Sequence, residues 1–188
     1  MLIAFLSLLL WQAPPDLSAS KHSDPPPVDI SAAVSATLAP GGVRAAVAAN
    51  TLTFWLVKQL PASAWSELKE GSLVGAVRIE KDFRDIRGRV IKGGTYTLRY
   101  GIQPANGDHL GVSPYREFLL LSPAAHDNDP APRGHDGTVE ISKDTIGGSH
   151  PAVWSIDPPA FACGAVRGVV GVIASGFRRA SSSAARAF

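Results

Sequence analysis

A single cysteine, Cys163, excludes an internal disulfide, so the fold of this 188-residue chain depends on its core alone. Charged residues make up only 18%, below the roughly 25% of an average soluble domain. No Gly-x-Ser-x-Gly elbow and no Gly-x-Gly-x-x-Gly or Gly-Lys-Ser pattern occurs, which removes the usual sequence marks of a serine hydrolase and of a phosphate-cradling loop. Gly148-Ser149-His150 sets its serine beside the histidine on the chain, not across from it. A clustered basic face is lacking too. Setting aside the four arginines of residues 160–188 leaves 14 basic against 16 acidic residues, a body of about −2, and nothing there attracts a nucleic acid. The basic residues between Lys81 and Lys92 interleave with Glu80, Asp82 and Asp85, as on a solvated hairpin.

What is abundant is turn chemistry. Eighteen Gly and fifteen Pro punctuate short runs of alternating apolar and polar residues, which favours one β-rich domain over a helical bundle. The alternation is clearest in Thr95–Gln103, where Tyr96, Leu98, Tyr100 and Ile102 share one face and Thr95, Thr97, Arg99 and Gly101 the other. In Leu73–Glu80 it sets Leu73, Val77 and Ile79 against Arg78 and Glu80. Thr51–Lys58 is apolar even on its second face, through Trp55 and Val57, and reads as a central strand. Val43–Ala49 and Arg116–Ser122 are further strands, and Ser31–Leu38 is another candidate. Thr138–Ser142 reads as a strand or as part of a short helix ending at Gly147-Gly148, and Ala62–Glu70 as one or two helical turns. Gly94-Thr95-Tyr96 after a basic turn resembles a tyrosine corner, in which the hydroxyl bonds back to nearby backbone. The expected fold is an all-β antiparallel sandwich, Greek-key, immunoglobulin-like or similar, with one or two short helical turns.

The ends differ from the body. Met1–Leu10, MLIAFLSLLL, has the length of a signal-peptide apolar region and is too short to span a bilayer as a helix. Ser18-Ala19-Ser20 supplies small residues where a signal peptidase reads, so residues 1–20 read as a signal peptide and export to the periplasm or beyond is expected. No Lys or Arg precedes the run, and the alternative is an uncleaved N-terminal anchor. Residues 21–29, with three consecutive prolines, read as a linker, and 30–159 as the domain. Residues 160–188, rich in Ala, Gly, Ser and Arg, read as a disordered tail or as out-of-frame translation of a GC-rich gene. Arg167 and the glycines argue against a membrane helix there, so no stable membrane span is expected.

The strings GTYTLRYGIQPANGDHLGVSPYREFLLL, GHDG and GGSHPA resemble those of a family of uncharacterised secreted bacterial proteins. The resemblance covers about residues 47–159 and implies a small exported β domain, with no activity attached.

Three groups of residues carry the candidate sites. His109, His126, His135 and His150 fall within 42 residues among predicted loops, together with Asp127 and Asp129, and could hold a divalent metal, although no pair has metal-motif spacing. Asp127-Asn128-Asp129 before Pro130 is either part of a calcium site or an Asx-rich turn. Trp65, Trp154 and Tyr115 could form an aromatic platform for a small molecule, a glycan or a protein. The sequence therefore supports an exported, non-catalytic binding or assembly module, with a metal-binding protein or metal-dependent enzyme as the alternative.

Overall fold

The structure, a computed structural model, describes residues 17–47, 49–60, 67–85, 88–104 and 116–155. The tail beyond 159 and the segments carrying Trp65, His109 and Tyr115 lie outside these residues.

Among the described residues, nine strands and two helices follow one another: β1 (Leu17–His22), α1 (Ala32–Ser35), β2 (Gly42–Val47), β3 (Asn50–Leu56), β4 (Leu73–Ile79), β5 (Phe83–Arg84), β6 (Val90–Ile91), β7 (Gly94–Ile102), β8 (Glu117–Pro123), α2 (Gly134–Lys143) and β9 (Ala152–Ser155). Seven strands form one antiparallel sheet in the order β1-β2-β3-β4-β7-β8-β9, and β5 and β6 pair separately as a short hairpin. The all-β antiparallel fold is thus as expected. Its connectivity is that of a meander, each strand lying beside the one before it once the β5–β6 hairpin is set aside.

The two layers are made by rolling this one sheet. Phe54 on β3 and Trp154 on β9 stand four strand spacings apart, about 19 Å on a flat sheet, yet their ring centroids are 6.2 Å apart. Only a strongly curled sheet brings them together. Phe83 of the small hairpin meets the same indole at 6.1 Å and helps close the roll. The concave core combines Leu52, Phe54, Val77, Ile79, Leu98, Tyr100, Leu119 and Leu121 with Trp154. A smaller core of Ile30, Val34, Leu38, Trp55, Leu73 and Ala76 covers the convex face. β3 and β4 are therefore buried on both sides, as the apolar second face of Thr51–Lys58 required.

Two local readings change. Ser31–Leu38 is not a strand: the Ser31 hydroxyl accepts from Val34 N and caps α1, and Ile30, Val34 and Leu38, four residues apart, point to one side as on a helical turn. In β4 the register shifts between Leu73 and Gly75, so Leu73 joins the convex core while Val74 joins Val77 and Ile79 in the concave one. A bulge of one residue moves everything before it to the opposite face. Thr138–Ser142 belongs to helix α2, where Ser142 is buried and its hydroxyl bonds the Leu121 carbonyl.

The residues read as the end of a signal peptide also have a structural place. Leu17–Ser20 are part of β1, paired with Val47–Arg44 of β2, and the proline segment follows this strand. His22 ends β1 with its ring against Trp55, and Trp55 Nε1 donates to the Asp24 carbonyl at 2.9 Å, which fixes the proline segment on the sheet.

The tyrosine corner is present. The Tyr96 hydroxyl donates to the Lys92 carbonyl at 2.7 Å and ties the start of β7 to the turn after β6. Tyr96→Phe keeps the ring and deletes this bond, and is expected to cost about 1 kcal/mol in urea unfolding with an unchanged m-value.

Candidate functional site

The alternation in β7 places Thr95, Thr97 and Arg99 on the convex face, where solvent would be expected. Instead Thr97 and Arg99 are fully buried. The chain leaving β8 folds back over them, beginning with a bond from Ala124 N to the Thr95 carbonyl. What draws it there is the guanidinium.

Arg99 has five N–H donors, and each meets an acceptor. Nε and Nη2 form a bidentate pair with Asp127, at 2.6 Å to Oδ2 and 2.8 Å to Oδ1. Nη1 donates to the carbonyls of Gly71 at 2.6 Å and Ala131 at 2.9 Å. The second Nη2 hydrogen goes to the Asp129 carbonyl. Asp127, also wholly buried, accepts in addition from the Thr97 hydroxyl at 2.5 Å and from Arg133 Nε at 3.1 Å. A buried guanidinium and a buried carboxylate thus saturate one another and the backbone around them, the condition under which charges are tolerated inside a fold.

Three segments meet at this point. Gly71, in the left-handed region at φ 78°, lies in the turn before β4, where an added Cβ would fall 2.7 Å from both Gly134 N and Thr138 Oγ1 at the start of α2. Arg133, which reaches Asp127, is the residue just before α2. The loop 124–133 bridges β8 to that helix. Its backbone is pinned from below at Asp129 and Ala131, while His126, Asn128, Asp129 and Pro132 remain exposed.

Burial alone would raise the Asp127 pKa, but the hydrogen bonds from Arg99 and Thr97 and the charges of Arg99 and Arg133 outweigh it and hold the carboxyl below its ordinary value of 3.8. A carboxyl depressed in the folded state contributes stability that is full above its unfolded pKa, about 3.9, and is lost as pH falls through the folded value.

Among the described residues, those proposed from sequence as metal ligands do not gather. Asp127 spends both oxygens on Arg99, Thr97 and Arg133, and is a structural ion-pair partner in place of a ligand. Asp129 Oδ1 accepts from Ala131 N at 2.9 Å, so the Asp127-Asn128-Asp129 run is the Asx-rich turn. His126 pairs with Asp144 at 2.9 Å on the surface. His135 Nδ1 lies 3.1 Å from Glu70 Oε1, which also accepts from Ile102 N. His150 is exposed elsewhere. Among the described residues, no three His, Cys, Asp or Glu side chains stand together as a metal site. Trp154 is a core residue, 4% exposed, and presents no platform. His109, Trp65 and Tyr115 are not among the described residues.

Sequence reasoning passed over Arg99 as the polar side of a strand. The available signal is a lone arginine following two threonines on one face of a strand, opposite an apolar face, in a chain with few charges.

Comparison with protein-family models, with curated proteins and with solved structures returned no match.

Asp127→Asn removes the counter-charge and leaves Arg99 buried, and is expected to cost about 3–5 kcal/mol of stability by chemical denaturation. In the unaltered chain the melting temperature should hold above about pH 5 and fall below about pH 4. In the Asp127→Asn variant that acid slope should shrink.

Proposed function

We propose that this chain is an exported module that acts by binding and performs no chemistry of its own. One observation carries the reading. The buried arginine and aspartates among the described residues, Arg99, Asp127 and Asp85, hold loop backbone in place: Arg99 and Asp127 the loop 124–133, and Asp85 Oδ1 the N–H of Arg89 in the β5–β6 hairpin. Buried charge in this fold fixes the shape of what lies at the surface.

Such a loop is ordered before it meets anything, and a preorganised loop loses little conformational entropy on binding. The outward groups of 124–133 are an imidazole, an amide, a carboxylate and a proline ring, suited to polar recognition of a glycan, a small molecule or a protein surface. The apolar run Met1–Leu10 supports action outside the cytoplasm, as does the resemblance to secreted bacterial proteins.

Two measurements test this. Elemental analysis of the purified chain should find no stoichiometric metal, and its melting temperature should not move on chelation; a bound metal whose removal lowers the melt by several degrees would favour metal chemistry instead. A photo-crosslinking residue at Asn128, in the cell that produces the protein, should yield a discrete adduct that the same residue at Lys81 does not. Equal adducts, or none, would remove the loop from the account.

A further inference from the structure

We propose that the working protein keeps its N-terminal apolar run and that this run holds the domain on a lipid surface, because the site at which the run would be cut lies inside strand β1. The inference rests on the export reading above and decides what becomes of the exporting segment.

β1 is part of the sheet, not a passing linker. Leu17, Ser18, Ala19 and Ser20 stand opposite Val47, Ala46, Ala45 and Arg44, and a cut after Ser20 leaves only Lys21 opposite Val43 and His22 opposite Gly42. The segment that follows would stay in place, since Asp24 is held by Arg44 at 2.6 Å and by Trp55. What the cut would open is the edge of β2.

That edge is poorly suited to exposure. The part of β2 that would be opened, Arg44–Val47, reads RAAV, with Ala45 buried in the sheet and Arg44 its only charge. β1 ends in Lys21 and His22 and runs into three prolines, the residue types that keep an outer edge from pairing with other chains. Losing Leu17–Ser20 would exchange a protected edge for an apolar one.

The sequence offers no other cut that spares β1. A signal peptidase reads small residues at the first and third positions before the scissile bond. Within the first thirty residues only Ser20, with Ser18 two before it, meets both requirements; Ala4 is preceded by Leu2, Ser7 by Phe5, Ala13 by Trp11, Ser18 by Asp16, Ala19 by Leu17, and Ser23 by Lys21. The pattern and the strand coincide, and the strand has the structural use.

An apolar run that stays attached needs an apolar environment. Met1–Leu10 carries no charged side chain, and it is followed by Trp11, a residue type enriched at the lipid–water interface. Ten residues are too few to span a bilayer but enough to insert into one leaflet. The six residues between Leu10 and Leu17 keep the edge of the sheet within about 25 Å of the lipid.

The test uses the full chain, expressed in a bacterial host with a periplasm. The proposal expects the uncut mass in the membrane fraction, cleavable by external protease in opened cells, and flotation of the purified chain with phosphatidylethanolamine–phosphatidylglycerol vesicles. A soluble periplasmic chain beginning at Lys21 would overturn the proposal and leave the export reading standing, as would any soluble exported chain that does not float. A cytosolic, full-length chain that does not float would overturn both.

Discussion

The guanidinium of Arg99 is the fixed point of this molecule. Its five N–H groups reach one carboxylate and three carbonyls, and those acceptors belong to the turn before β4 and to the loop between β8 and α2. Because the group is planar and buried, each acceptor has one place to be. A lysine, with a point charge and three donors, could not hold the same set.

A buried ion pair is weak evidence of net stability, since desolvation consumes much of the attraction between the charges. Its value here is positional. Without it, the convex side of β7 would be a polar stripe facing water, and the chain after β8 would have no reason to lie across it. With it, that chain becomes the cover of the sheet, α2 starts against Gly71, and the Ser142 and Thr145 hydroxyls can reach the Leu121 carbonyl. The placement of β9 follows, because Ser142 also accepts from Ala152 N at the first residue of that strand. Trp154 then enters the concave core two residues later.

Strand content was legible because alternation is a local property. Tyr96, Leu98 and Tyr100 announce the inner face of β7, Phe54 and Trp55 announce a strand buried on both sides, and Tyr96 after a glycine turn announces its bond to Lys92. Less was legible where the cause is not local. The bulge near Leu73 leaves no mark in the spacing of apolar residues. The helix at Ala32–Ser35 was visible only in the four-residue interval from Ile30 to Val34 to Leu38, which competes with small residues that suit a strand equally well. The acidic run at Asp127 reads as a ligand set or as an Asx-rich turn, because a carboxylate in sequence carries no sign of its partner. Arg99 lies 28 residues earlier on the chain, and only the fold joins them. Asp127 is therefore visible in the sequence as a candidate, while its pairing with Arg99 is visible only in the fold.

The central claim is that Arg99 and Asp127 act as one unit, and a double-mutant cycle measures that directly. Arg99→Met, Asp127→Leu and the double variant would be unfolded in urea beside the unaltered chain. Each single variant leaves an uncompensated charge in the interior, whereas the double variant leaves none. The account predicts that the double variant is less destabilised than the sum of the singles by at least about 2 kcal/mol. Additive losses, to within about 0.5 kcal/mol, would mean that the two side chains do not depend on one another and would contradict it.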